Sequence, residues 1–288
     1  MPVLVAHHRR HPQLARAEAN VSRHHRIPAG ALLLVTGSVL AAAVTFAQTP
    51  KPFDPHDLSG KWARTSFNQG FSTVPESGRG NAPQAPFTAA GKAAYDKNYP
   101  GYGPRANATL RNDPMGSCDP LGIPRNLNAE VVSSHNWWEI VQLPDRMMQL
   151  FEWHHEYRVV YTDGRKLPDV TADLDAKWNG YSVGKWEGDT LVVDSVGFDD
   201  RTWLDKFGYP HTDAMRLQER YRRTDATTLE LTMVVTDPEY YTRPWESDRK
   251  VFKLNGLQID RPWDEQIYCV PSEEQKFNRL IRDPASGK

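Results

Sequence analysis

After Arg125, apolar and polar side chains alternate with a period of two, the spacing that puts every second residue on one face of a strand. The pattern predicts strands in "WWEIVQLP", "MMQLFEWHHEYRVVYTD", "GYSVGKWE", "DTLVVDSVGF", "AMRLQERYRRTD", "TLELTMVVTD" and "RKVFKLN". Gly188-Asp189 in "KWEGDTLVV" supplies a two-residue turn between β-rich arms, a hairpin signature. A series of short strands separated by turn signals predicts an all-β barrel or sandwich rather than βαβ units.

Upstream the pattern is different. "DLSGKWAR" at 57–64 opens the regular region. Two long segments rich in Pro and Gly follow, "STVPESGRGNAPQAPF" and "NYPGYGPRANATLRNDPMGSCDPLGIPR". Between them "TAAGKAAYDKN" predicts a short helix with Thr88 as its N-cap. Loops of such length are functional or packed on a scaffold more often than they are linkers. The first residues are basic and precede the apolar run 29–48, with small residues near Ala47. That order predicts a signal peptide over 1–47, with one domain over 48–288 and a periplasmic or secreted protein. A single membrane anchor is the alternative reading of the same run. With the signal cleaved, no stable membrane insertion is expected.

Alternation also selects candidate inward residues. If 147–162 is one strand, its more apolar face carries Met147, Gln149, Phe151, Trp153, His155, Tyr157, Val159 and Tyr161. His154 and His155 then point to opposite faces and cannot share a metal ion. In 215–222 the apolar face carries Met215, Leu217, Glu219 and Tyr221. A buried carboxylate must be paired, hydrogen-bonded or raised in pKa. One reading of Glu219 is therefore a core ion pair with an inward Arg or Lys. The other is a catalytic group. The intervening "GFDDRTWLDKFGYPHTDAM" holds Asp200, Trp203 and His211 in a loop able to fold across a barrel mouth. The expected catalytic set is His155, Glu219, His211 and Asp200, with Trp153, Tyr157, Tyr161 and Trp203 as the substrate-binding walls.

Composition narrows the function classes. The 288-residue chain has net charge −1 with 25% charged residues, which argues against a basic nucleic-acid binder and against disorder. Dinucleotide and Walker fingerprints are missing from the sequence, so the expected chemistry uses no cofactor. "HHEYR" is not HExxH, no CxxC pair occurs, and no metal centre is expected, although recruitment at His155 or His211 stays open. "GYSVG" matches the nucleophile-elbow string, but Ser182 lies in a strand leading to a hairpin rather than at a strand-to-helix turn. In an exported protein, Cys118 and Cys269 are a disulfide candidate tying an irregular loop to the C-terminal segment; two separate buried thiols are the alternative.

Taken together, "DLSGKW", "NDPMGSCDPLGIPR", "YTDGRKLP", "GYSVGKWEGDTLVV", "GFDDRTWLDKFGYPHTDAMRLQERYRR" and "TDPEYYTRPW" resemble a family of exported bacterial hypothetical proteins across nearly the whole mature chain. That resemblance implies no catalytic role. Gly60-Lys61-Trp62 and the hairpins are also similar to lipocalin-like (calycin) barrels, which implies an antiparallel lipocalin-like β-barrel with short peripheral helices. The expected function is acid–base chemistry of lyase, hydratase or isomerase type on a small organic molecule in the barrel pocket. The rival is a non-catalytic carrier of an aromatic or carbohydrate ligand. A third reading is an accessory protein whose loops form an interface.

Overall fold

The computed structural model describes residues 53–64, 70–72, 85–107, 109–128, 137–171, 173–255, 269–270, 276 and 278–285. The predicted signal peptide and most of the 72–87 loop lie outside them. Among the described residues, ten strands form one sheet: β1 (Gly60–Arg64), β2 (Trp137–Gln142), β3 (Arg146–Phe151), β4 (Tyr157–Tyr161), β5 (Tyr181–Glu187), β6 (Thr190–Val196), β7 (Arg216–Asp225), β8 (Thr228–Thr236), β9 (Trp245–Glu246) and β10 (Lys250–Leu254). Neighbours follow chain order, and β10 pairs with both β1 and β8, which closes a nine-stranded barrel with β9 appended beside β8. Of the all-β barrel and sandwich that the alternation allowed, the barrel is present.

Closure has a consequence for strand direction. An odd number of strands cannot alternate all the way around a closed ring, so one neighbouring pair must be parallel. That pair is β4 and β5; the other barrel pairings are antiparallel. Its ladder is short, with only Val160↔Ser182 and Tyr161↔Val183 in register. Parallel neighbours also need a long crossover. Residues 162–180 provide it, and its described residues, 162–171 and 173–180, contain no helix and lie over the outer faces of β4 and β5.

The two barrel ends differ. At one end tight turns join β2 to β3, β5 to β6 and β7 to β8. The β5–β6 turn places Gly188 at φ 56°, a conformation costly for residues with a Cβ. At the other end lie the long connections between β1 and β2, β6 and β7, and β8 and β10, together with the short turn from β3 to β4. Helix α1 (Ala89–Lys97) belongs to this end and starts as expected: the Thr88 hydroxyl accepts the Gly91 N–H at 3.0 Å. Gly91 is required by close packing, since a Cβ there would sit 2.1 Å from the Tyr240 carbonyl oxygen.

The core runs through the barrel and into the long loops. Trp62, Trp138, Ile140, Met147, Phe151, Val160, Leu191, Val193, Leu217, Tyr221, Leu229, Leu231, Met233 and Phe252 fill the interior. Leu204, Phe207, Tyr209 and Tyr241 extend it beyond the strand ends. The 199–213 loop is therefore packed rather than free, with Leu204 and Gly208 carbonyls held by Asn128 and Asn98. Cys118 and Cys269 are disulfide-bonded, as one of the two sequence readings expected.

One expected element is different. Residues 147–162 are two strands, not one. Trp153–His155 form a single 3-10 turn, with His154 at φ 57° and His155 at φ 52°, and the Phe151 N–H closes the turn on the Glu156 carbonyl at 2.8 Å. Pairing then sets Arg158 opposite Gln149 and Tyr157 opposite Leu150. Residues opposite one another share a face, so Arg158 and Val160 point inward and Tyr157, Val159 and Tyr161 point outward.

Candidate functional site

The turn separates the expected catalytic and binding residues. His155 is half-buried in the turn, not on an inward strand face. Tyr157 is 63% exposed on the outer face, and Tyr161 lies at the other end of β4 on the same face, half-buried beneath Arg165. Trp153 is half-buried in the turn against the His154 ring. Trp203 is buried among the long loops, with the Arg125 guanidinium 5.8 Å from its ring. Glu219 does face the interior, as its position in β7 predicts, and is fully buried. Asp200 is exposed, and His211 is buried within its electrostatic reach.

Both buried members of the expected catalytic set are fully engaged. Arg158 binds Glu219 in a bidentate ion pair, Nη2 to Oε1 at 2.6 Å and Nη1 to Oε2 at 2.8 Å. The same guanidinium donates to Gln149 Oε1 at 3.1 Å, Ser182 Oγ at 2.9 Å and Ser195 Oγ at 2.7 Å. The Tyr221 hydroxyl donates to the second Glu219 oxygen and accepts from Gln149 Nε2 at 2.9 Å. Burial, and then the Glu219 charge, hold the Tyr221 phenol far above its ordinary pKa. This network ties β3, β4, β5, β6 and β7 together through side chains. It corresponds to the core-ion-pair reading of Glu219. Ser182 belongs to it too, which leaves it unlike an exposed nucleophile.

His211 is occupied in a similar way. Its Nδ1 faces the Thr212 carbonyl at 3.0 Å and so carries the proton, while Nε2 lies 2.6 Å from the Thr202 hydroxyl, whose other neighbour is the Asp199 carbonyl at 3.1 Å. Burial lowers its pKa, against the opposing effects of that carbonyl and of Asp237, Asp200 and Asp199. A neutral imidazole with both nitrogens satisfied positions the 199–213 loop. Nearby, Glu156 is raised in pKa by burial, partly offset by Asn126, the Leu121 N–H and Asn179. Burial and the adjacent His155 lower His154. Among the described residues, no group of three His, Cys, Asp or Glu side chains is placed to hold a metal ion.

A different feature offers room for a ligand. Between the 162–180 crossover and the outer faces of β4 and β5 lies a groove of about 750 Å³. Tyr157, Val159 and Tyr161 form one wall and Tyr181 and Val183 another, while Trp178 and Pro168 come from the crossover. Where the two strands diverge past their short ladder, Asn179 Nδ2 bonds the Tyr157 carbonyl at 3.3 Å. Three cations rest on aromatic faces here: Arg165 over Tyr161 at 3.5 Å, Lys177 over Tyr181 at 4.2 Å and Arg201 over Trp178 at 4.2 Å. A second cleft of about 350 Å³ follows on the far side of the ladder and shares Arg165 and Val183. The groove thus presents aromatic surface, aliphatic surface and polar groups in one concave place, the usual make-up of a small-molecule site.

No family model, curated protein or solved structure matches the chain. The assignment of a site therefore rests on this geometry. Of the expected binding residues, Tyr157 and Tyr161 line the groove, whereas Trp153 and Trp203 do not. Sequence reasoning passed over Arg158, Lys177, Trp178 and Tyr181. The signal for Arg158 was present but misassigned: reversing the parity after "WHH" turns it inward toward Glu219. Nothing local marks Lys177 and Trp178, because their role depends on a parallel pairing that only ring closure imposes.

Proposed function

We propose that the protein is a non-catalytic binding protein or carrier for a small ring-bearing ligand, aromatic or carbohydrate, held in the groove between β4, β5 and the crossover. The observation that carries this reading is the groove itself: about 750 Å³ with Tyr157, Tyr161, Trp178 and Tyr181 on its walls. Flat aromatic side chains offer large contact area and a polar tip at small conformational cost. This is the second function expected from the sequence, moved from the barrel interior to its outer surface. Acid–base chemistry by Glu219 and His211 draws less support, because their polar atoms already have protein partners. The Cys118–Cys269 bridge supports an oxidising, periplasmic or extracellular location.

The test is a titration of the purified protein with N-phenyl-1-naphthylamine, an uncharged ring probe whose fluorescence rises in apolar surroundings. We expect saturable binding near one probe per chain, weakened about tenfold by Trp178→Ala or Tyr181→Ala with the far-UV circular dichroism unchanged. A probe affinity indifferent to both substitutions would rule out the groove as the site.

A further inference from the structure

We infer that the groove selects an anionic ligand: a ring compound carrying a carboxylate or a similar acidic group, held by Lys177 and Lys166 at the crossover. This inference rests on the groove being the binding site and adds the charge of its occupant. Every charged side chain lining the groove is a cation, namely Arg158, Arg165, Lys166 and Lys177. Arg158 is turned into the barrel and neutralised by Glu219, so its charge is not offered outward. The remaining three belong to the crossover.

What holds these cations decides what they can do. Lys177 sits 4.2 Å from the Tyr181 ring centroid, and Arg165 sits 3.5 Å from that of Tyr161. An aromatic face attracts a cation through its quadrupole but leaves the full formal charge in place, unlike a carboxylate partner. Lys177 is thus positioned and still unneutralised, with ammonium protons available to an acceptor. Arg165 also pairs with Asp163 at 2.6 Å, but the partners are 47% and 30% exposed, so this pair is weak and easily exchanged. The other crossover acids, Asp169, Asp173 and Asp175, do not line the groove, and Asp199 beside it is taken by Arg201 at 2.7 Å. A cleft lined by one sign of charge concentrates counter-ions despite a chain whose net charge is only −1. An acidic group meeting Lys177 and Lys166, with its ring against Tyr181 and Trp178, satisfies both features of the groove.

The deciding experiment compares two probes with the same ring system. 1-Anilinonaphthalene-8-sulfonate carries one anionic group, and N-phenyl-1-naphthylamine lacks it. The sulfonate is expected to bind about fivefold or more tighter, with an affinity that falls as salt rises. The double substitution Lys166→Gln/Lys177→Gln should bring the ratio of the two affinities close to one, whereas Lys166→Arg/Lys177→Arg should retain the sulfonate's advantage. Equal affinities for the two probes, or a sulfonate preference that survives the glutamine substitutions, would overturn the charge assignment and leave the groove standing. Indifference of both probes to Trp178→Ala would remove the groove, and the charge assignment with it.

Discussion

Glu219 lies at the centre of the barrel with no exposed surface, and its neighbours explain why a carboxylate is tolerated there. Moving a charge out of water is expensive, and the attraction of one opposite charge offsets this only when the remaining hydrogen-bonding capacity is also met. Arg158 supplies two charge-assisted bonds and Tyr221 a third, while Gln149, Ser182 and Ser195 take the rest of the guanidinium. Removing one partner strands the other. Glu219→Gln should therefore destabilise the fold by about 3–5 kcal/mol, whereas Glu219→Met combined with Arg158→Met should cost less than the single change. Equilibrium urea unfolding measures both. A Glu219→Gln protein within about 1 kcal/mol of the wild type would show that the ion pair is not what the core depends on. At this scale half of the arrangement was legible in the sequence: the parity of "AMRLQERYRR" puts Glu219 inside, and a buried carboxylate calls for a partner. The partner's identity was hidden by two left-handed residues, His154 and His155; histidine is enriched in that conformation yet adopts it too seldom for the pair to announce a turn.

Among the strands, the ladder is uneven. β7 pairs with β8 in nine register positions and with β6 in six, but β4 meets β5 in only two. Within the closed ring, backbone hydrogen bonds therefore support the β4–β5 seam least, and the Arg158 guanidinium, which reaches from β4 to Ser182, Ser195 and Glu219, spans it by side-chain contacts instead. Local opening follows regions with few hydrogen-bonded neighbours. Hydrogen–deuterium exchange should accordingly be faster in peptides covering β4 and the start of β5 than in those covering β7 and β8, by about tenfold or more in protection. Equal protection across these peptides would mean that the short ladder does not weaken the seam. The strands were the most readable elements, since two-residue alternation and Gly188 mark them directly. The β3–β4 junction was not, because "FEWHHEYRVV" alternates well enough to pass for one continuous strand. A one-residue change in phase at a turn exchanges the two faces, and that is how Tyr157 and Tyr161 came to lie outside.

For the molecule as a whole, the class of fold followed from pattern, but the number of strands around the ring did not. That number matters: nine strands force one parallel neighbour, the parallel neighbour forces a crossover on the outer surface, and the crossover creates the groove. The other long connections gather at one end of the barrel, where side chains fasten them. Asp113 accepts the Met115 N–H at 3.0 Å and forms a buried bidentate pair with Arg125 at 2.8 Å, fixing the segment that carries Cys118. The disulfide joins this segment to Cys269, beyond the last barrel strand and 151 residues further along the chain. Cross-linking over so long a separation restricts the unfolded chain far more than the folded one, in which the closed ring and the loop packing already fix Cys118. On the chain-entropy account the stabilisation is of order 2–5 kcal/mol. Cys118→Ser/Cys269→Ser, or reduction of the wild type, should therefore lower the unfolding free energy by about that amount while the far-UV circular dichroism of the barrel persists. Loss of the β-sheet signal on reduction would instead place the bridge among the interactions without which the barrel does not close.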